Sequence, residues 1–374
     1  MPASGPDPTG GRTVTVTGVS ADTARAAVET TDPLPGTAGF AGRLDGRLVR
    51  DVLGRYPLFF EPGDTETWSH DPGALVEPQR LPAGHVHDGT GGSQRLWTLP
   101  TRPPVDDDDA AVAAVREAVD TAVSAVTDGG GDLAVAFSGG IDSGLLAARL
   151  DAPLYTVGFP DSHDLEAARS GAALLGRELR VVELDHAALE RAVPQVAAAT
   201  GRTNAMDVQI TLPLFILAQQ VAADGFDRLA LGQGADELFG GYAKVEQAPD
   251  DDRVAADTVR GARDEMLRTV PDQFERDRLA LSAAGVEPVA PLAHDRVVEA
   301  ALGLGGEQLG RGGTRQVGLR RGADPRLPAP PPGREKKALQ YGTLAARELD
   351  RLARQADYKR RMDSHVDQYI ESLL

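Results

Sequence analysis

Two strings of residues combine types and spacing that could do chemistry on a phosphate. The first is Ser138-Gly139-Gly140-Ile141-Asp142-Ser143. It follows an apolar run at 133–137 and opens a helical pattern. Glycines let a backbone approach a phosphate closely, and a helix start presents unpaired N–H groups with a partial positive charge. The hydroxyls of Ser138 and Ser143 can donate to phosphate oxygens. Asp142 would repel a phosphate directly, so its place in the string reads as a Mg2+ ligand that bridges to one. The second string is Leu231-Gly232-Gln233-Gly234-Ala235-Asp236-Glu237-Leu238-Phe239-Gly240-Gly241-Tyr242, again after a strand end. Asp236 supplies a second carboxylate, and Mg2+ commonly takes one or two carboxylates beside phosphate oxygens. A plain glycine turn and helix capping by Asp are the ordinary readings of such features. The full six-residue string between a strand and a helix argues against the first of them.

The elements that must position these strings can be traced by periodicity. From residue 110 a helix is expected over 111–126, a strand over 133–137, a helix from 144 to 149 and a strand over 154–159. A helix over 165–175, a strand over 179–184, a helix over 213–223 and a strand over 228–231 follow. Strands alternating with helices imply an α/β fold with a doubly wound parallel sheet, whose ligands sit at the carboxyl ends of the strands. Past Tyr242 the pattern turns helical and ends in one charged helix over 344–374. Residues before 105 read differently: a strand over 14–19, a short helix over 21–29 capped by Ser20, and strands over 40–44, 48–53 and 58–61 between Gly and Pro turns. Residues 100–109 shift to Pro and Asp and read as a linker. Two domains follow, a small β-rich one over 1–105 and an α/β one over 106–374 with a helical C-terminal part.

Composition bounds the function. The 374 residues hold 56 acidic and 39 basic side chains, a net charge of −17, and lysine occurs only at Lys244, Lys336, Lys337 and Lys359. Such a surface repels nucleic acid. The charge is spread along the chain, as in adaptation to high salt, and the runs 106–109 and 250–252 read as solvated linkers. The absence of cysteine excludes disulfides, thiolate metal sites and a Cys nucleophile. His85 and His87 alternate along an expected strand and read as exposed strand residues rather than as a metal pair. No stretch reads as the roughly 18–20 apolar residues of a membrane span. The N-terminal MPASGPDPTGG lacks the basic and apolar regions of a signal peptide. A cytoplasmic protein that binds neither membrane nor nucleic acid is expected; the oligomeric state, homo-oligomer included, is left open.

The string at 138–143 resembles the PP-loop of ATP pyrophosphatases, and the string at 231–242 resembles the G-E-G-S/A-D-E-L/I/V-F-G-G-Y block of the asparagine synthetase family. Three further segments are similar to that family in order. Gly158-Phe159 to Leu175-Gly176, with Asp164 inside, looks like its second ATP segment. Asp277-Arg278, Gly285-Val286-Glu287 and Pro291-Leu292 match spaced parts of its D-R…G-L/V-E…P-F-L-D stretch, and Arg334-Glu335-Lys336-Lys337 its late R-x-K. The resemblance covers about 110–343. Residues 50–58 also resemble the R-D-x-x-G-x-x-P-L block of a class II glutaminase domain, whose Cys nucleophile and first half are missing here, so this part is expected to be a scaffold.

The resemblance implies an AMP-forming amide ligase. ATP would activate a side-chain carboxylate as an acyl-adenylate, pyrophosphate would leave with Mg2+, and an amine would attack. By position, Ser138, Gly139, Gly140, Asp142 and Ser143 would hold pyrophosphate, and Asp142 with Asp236 the Mg2+. Backbone at Ala136, Val157 and Gly232 would meet adenine, beside Gly158, and Lys336 would neutralise the leaving group. Three departures concern the acceptor or adenylate side: Gln233 stands where the family has a Glu thought to assist proton transfer, Gln209 falls on one family Arg and Val289 near another. A neutral amide cannot act as a base, which leaves Glu287 as the nearest candidate. Ammonia-dependent asparagine synthesis is the first reading implied. A β-lactam-synthetase-type or other PP-loop ligase acting on a different carboxylate is the second, and an ATP-binding protein without catalysis the third.

Overall fold

The computed structural model describes residues 14–89, 91–248, 256–323, 339–361 and 363–374. It divides into two compact units, the first ending at Pro100 and the second beginning at Thr101.

In the first unit, Ser20 accepts a hydrogen bond from the Thr23 backbone and starts α1 (Ala21–Thr30), directly after β1 (Thr15–Thr17). Strands β2 (Ala41–Leu44), β3 (Arg47–Arg50), β4 (Phe59–Glu61), β5 (Asp64–Ser69), β6 (Gln79–Arg80), β7 (His85–His87) and β8 (Ser93–Arg95) complete it. They form an antiparallel sheet in the order β1-β2-β3-β7-β8 and a smaller one in the order β5-β4-β6. Ala41, Leu48, Leu58, Phe60 and Leu81 fill the core. Residues 50–58 hold a buried polar knot. The Asp51 carboxylate accepts from the backbone of Leu53 and Arg55 and from Arg55 Nε at 2.9 Å. Arg50 donates to the Leu81 and Gly54 carbonyls. His87 departs from its expected exposure: it is buried against the Phe60 ring, and its Nδ1 pairs with Ser93 Oγ, while His85 Nδ1 lies 2.9 Å from the Ala83 carbonyl.

The second unit opens with a correction. Residues 106–109 are not all solvated linker: Asp107 Oδ1 caps α2 (Asp108–Thr127) by accepting from the Asp109 and Ala110 amides at 2.9 and 3.1 Å. Asp108 accepts from Gln308, and Asp109 from Arg321. Three acids at a helix start oppose its positive end favourably.

The chain then runs through β9 (Leu133–Ala136), α3 (Ile141–Ala147), β10 (Leu154–Gly158), α4 (His163–Leu175) and β11 (Leu179–Glu183). Helices α5 (His186–Thr200) and α6 (Ala205–Ala223) and strand β12 (Arg228–Ala230) come next. After β12 come α7 (Ala235–Phe239), α8 (Ala243–Glu246), α9 (Val259–Leu267), α10 (Val270–Ala283) and β13 (Glu287–Val289). Helices α11 (Asp295–Leu302) and α12 (Gly306–Leu309), the hairpin β14 (Gly310–Arg311) and β15 (Thr314–Arg315), and α13 (Val317–Gly322) precede α14 (Leu339–Gly342), α15 (Ala345–Gln355) and α16 (His365–Ser372).

All five strands β11-β10-β9-β12-β13 are parallel in that order. Winding proceeds from β9 towards β11, then reverses to β12 and β13, so the topological switch point lies between the carboxyl ends of β9 and β12. Strand β13 was not expected from the sequence. It has three residues and contains Pro288, which an edge strand tolerates because one side needs no N–H. Helix α6 begins eight residues before the expected 213, with Asn204 capping it and Pro213 in its interior. By length and composition α6 could cross a membrane, against the expectation that no stretch could. Half of it is buried here, where Val208, Leu212 and Phe215 pack with α5, α10, α15 and α16, and Leu217, Ala218 and Val221 against the sheet. The single helix expected over 344–374 is instead two, α15 and α16, with Asp357 and Ser364 between them in left-handed conformation.

The α2 cap gives a direct test. Asp107→Ala should cost about 1 kcal/mol and lower the melting temperature by about 2–4 °C, while Asp106→Ala, one residue outside the cap, leaves it unchanged.

Candidate active site

Strand β9 delivers the chain to the switch point, and residues 137–140 turn it into α3. Gly139 has φ +73°, and a Cβ there would lie 2.3 Å from the Ala167 carbonyl oxygen of α4. Only glycine satisfies both constraints. Inside the turn, Ser143 Oγ accepts from the Ser138 amide at 3.2 Å and lies 3.2 Å from Ser138 Oγ. Two hydroxyls and the uncapped start of α3 therefore face one loop interior.

Asp142, in the first turn of α3, is 7% exposed. Asp236 occupies the first turn of α7, reached through Gly234 at φ +88°. The two turns meet closely. A Cβ at Gly232 would lie 2.8 Å from Asp142 Cβ, and a Cβ at Gly241 would lie 1.7 Å from Asp236 Oδ1. Both Oδ1 atoms accept from the same donor, the buried Gln316 Nε2, at 2.9 and 3.0 Å. Gln316 itself holds a left-handed backbone, φ +56°. Next to it Arg315 donates to the Gly241 carbonyl at 2.9 Å. Burial lowers the Arg320 pKa although Asp142 and Asp236 favour its charge.

Two carboxylate oxygens aimed at one point fit a divalent cation. Among the described residues no group of three or more His, Asp or Glu side chains could hold a metal. The protein would thus give two ligands and leave the others to water and phosphate, the usual arrangement for Mg2+ on a nucleotide and unlike an all-protein cage.

The same cavity, of about 560 Å³, continues past Gly232 to a second polar group. Gln233 Nε2 donates to Asp277 Oδ2 at 2.7 Å, Arg276 Nε donates to Asp277 Oδ1 at 2.8 Å, and Arg276 donates to Asp207 at 3.1 Å. Asn204 and Arg202 hold the other Asp207 oxygen. Burial works against the Arg276 charge, but Asp277 and Asp207 outweigh it and raise its pKa. Asp207 is likewise depressed below the usual carboxylate range, against burial, by Asn204, Arg276 and Arg202. Glu237 also reaches the cavity; burial raises its pKa, and the Tyr242 hydroxyl donates to it. Helix α6 also lines the cavity through Met206, Ile210, Leu214 and Leu217, the last two in the cluster that holds Ala136, Val157 and Leu231.

Of the residues singled out in the sequence, Ala136, Ser138, Asp142, Ser143, Val157, Gly232, Gln233 and Asp236 line this one cavity. Gly139 and Gly140 shape its loop. Gly158 ends β10, where a Cβ would lie 2.4 Å from Ser162 Oγ. Glu287 is not brought to the site. It opens β13 in register with Arg228, the first residue of β12, so it sits at the amino end of the sheet. Its side chain is 52% exposed beside Arg278 at 3.8 Å. Lys336 lies outside the described residues. Gln209 and Val289 do not line the cavity, whereas Glu237, which stands in the second string without a role, and Arg276, Arg315 and Gln316, which no motif marks, are at the site or on its carboxylates. Arg276 carried one signal, its place directly before Asp277-Arg278.

The glycine loop, the paired carboxylates and the cavity lie together at the switch point of a parallel sheet, where open α/β sheets bind ligands. The family model described as asparagine synthase matches residues 114–270, all within the second unit. The chain is 35% identical over 178 residues to a Methanocaldococcus jannaschii protein provisionally named asparagine synthetase (glutamine-hydrolyzing) 1, covering 45% of this chain and 31% of that one. It is 26% identical over 292 residues to asparagine synthetase (glutamine-hydrolyzing) of Asparagus officinalis, covering 68% and 47%. It is also 26% identical over 190 residues to asparagine synthetase B (glutamine-hydrolyzing) of Escherichia coli, covering 50% and 34%. The chain thus spans less than half the length of each of these three relatives.

Two substitutions test the geometry. Gly139→Ala forces a methyl group into the Ala167 carbonyl and should abolish ATP binding by calorimetry. Gly201→Ala, at a φ of +67° with nothing within 4 Å, should cost about 1–2 kcal/mol of stability and leave binding intact. Arg276→Met leaves Asp277 and Asp207 without their shared cation and should destabilise the fold by about 3–5 kcal/mol, read by urea denaturation.

Proposed function

We propose that the chain is an AMP-forming carbon–nitrogen ligase that adenylates a carboxylate and transfers the acyl group to ammonia or another amine. The observation that carries this reading is the convergence of Asp142 and Asp236 on one point beside the 138–143 loop, in a cavity that continues to Gln233 and Arg276. The relatives' name adds that their class of chemistry is amide formation on a small carboxylate.

In this reading the loop amides and the Ser138 and Ser143 hydroxyls hold the β and γ phosphates, and backbone at Ala136, Val157 and Gly232, near Gly158, faces adenine. A Mg2+ ion on Asp142 and Asp236 would neutralise charge on the departing pyrophosphate. Lys336 is assigned a similar role from its sequence match alone. The acceptor carboxylate oxygen attacks the α-phosphorus, an acyl–O–P bond forms, and the α–β P–O bond breaks with its electron pair going to pyrophosphate. Positioning and charge stabilisation are the protein's part. Gln233 is tied to Asp277, so it orients and takes no proton. The amine then displaces AMP. The sequence holds no cysteine, and so no thiol of its own to hydrolyse glutamine; ammonia comes free or from a separate source, and the β-rich first unit is read as a scaffold.

Aspartate with free ammonia is the acceptor pair that the relatives' name suggests. A different carboxylate is the second reading, supported by Gln233 and Gln209 standing where the family has a Glu and an Arg. The test is pyrophosphate and AMP release from Mg-ATP in high salt with aspartate, with and without ammonium, and with other carboxylates. Carboxylate-dependent release that falls at least about 100-fold in Asp142→Ala and in Asp236→Ala is expected from the loss of charge stabilisation. Release that needs no carboxylate, or that survives both substitutions, contradicts the reading.

A further inference from the structure

We propose that Gln316 is the positioning residue of the cation site: its amide holds each carboxylate by one oxygen and so sets a preference for Mg2+ over Ca2+. This rests on the reading of Asp142 and Asp236 as ligands of one cation and names the residue that gives the pair its selectivity.

Gln316 Nε2 donates to Asp142 Oδ1 at 2.9 Å and to Asp236 Oδ1 at 3.0 Å. A primary amide carries two N–H donors on one nitrogen, so one side chain serves two acceptors without adding a charge. An ammonium group in the same place would set a full positive charge beside the cation and repel it. The two carboxylates belong to different turns, those of α3 and α7, and the amide ties these turns together through their side chains.

The donor is itself fixed. Gln316 is 1% exposed. Its backbone N–H donates to the Leu309 carbonyl at 2.8 Å, and its carbonyl accepts from the Arg320 amide at 2.9 Å. The left-handed backbone at 316 is thus bonded on both sides. Arg315, one residue earlier, donates to the carbonyl of Gly241, the glycine that lies against Asp236. Behind Gln316, α13 is fastened to α2: Arg116 donates to the Arg321 and Gly322 carbonyls, and Arg321 donates to Asp109.

Selectivity follows from how the two ions take carboxylates. Mg2+ demands a near-ideal octahedron at about 2.0–2.1 Å, which one oxygen from each carboxylate suits. Ca2+ takes roughly six to eight oxygens at about 2.3–2.6 Å and often both oxygens of one carboxylate. To offer both, a carboxylate must rotate until Oδ1 and Oδ2 face the ion equally. The bond from Gln316 to Oδ1 resists that rotation at Asp142 and at Asp236 alike. The clamp therefore costs Ca2+ more than Mg2+.

The experiment is ATP affinity of the full chain by calorimetry, with Mg2+ or Ca2+ as the sole divalent ion, for the native chain, Gln316→Met and Gln316→Asn. Melting temperatures are recorded alongside. Methionine keeps the length of the side chain and loses both donors. Asparagine keeps the amide and tolerates a left-handed backbone, so it suits the fold, but it is one methylene too short to serve both carboxylates. The expected result is native affinity at least about 10-fold tighter with Mg2+ than with Ca2+, and a ratio at least about 5-fold smaller in either variant, as for loss of an outer partner of metal ligands. A native chain that binds ATP equally with the two ions, or a ratio that neither variant moves whatever its melting temperature, overturns the inference and leaves a cation on Asp142 and Asp236 standing. Native ATP affinity that responds to neither ion overturns that cation reading and this inference with it.

Discussion

Strand β12 leaves the sheet so near the first turn of α3 that a methyl group at Gly232 would lie 2.8 Å from Asp142 Cβ and 3.1 Å from the Ser143 amide. Reversal of winding at β9 brings these two turns to the same end of the sheet, and the missing side chain at 232 lets them touch. Once they touch, Asp236 follows four residues later on a turn that Gly234 and Gly241 keep open. The two carboxylates then face one point, where the distant Gln316 amide bonds both.

Two buried or half-buried acids side by side repel, and among the described residues the fold answers this with an amide donor and arginines. The Gln316 amide serves both oxygens, and the partly buried Arg320 adds positive charge at longer range. Gln316 reaches its place through a left-handed backbone, a conformation that costs a non-glycine residue free energy and points to a site held by its surroundings. Beside Gln233 the balance is struck differently, by direct pairing of Arg276 with Asp277 and Asp207. One end of the cavity is thus arranged to receive positive charge, and the other is already neutralised.

Much of this was legible in the sequence because it is local. The apolar strand, the six-residue loop and the helix start lie within about a dozen consecutive residues, and the capping of α1 by Ser20 is a contact over three residues. The failures are non-local or depend on direction. Glu287 adjoins a recognisable block, but no sequence pattern tells which end of a three-residue strand it occupies, and register with Arg228 puts it at the far end. Arg276 finds its role through Asp207, 69 residues away. The run 106–109 looks like any solvated acidic stretch until Asp107 is seen to cap α2. The break between α15 and α16 falls at Asp357 and Ser364, whose positive φ values no glycine announces.

The central claim is that Asp142 and Asp236 act as one cation site for the phosphates of ATP. The most direct measurement is ATP affinity by calorimetry across a Mg2+ titration for the native chain, Asp142→Asn, Asp236→Asn and the double variant. The account predicts Mg2+-dependent affinity, a loss of at least about 10-fold in each single variant, and a double variant little worse than either, since coupled residues do not add. Affinity that is indifferent to Mg2+, or losses that add in full, would contradict it.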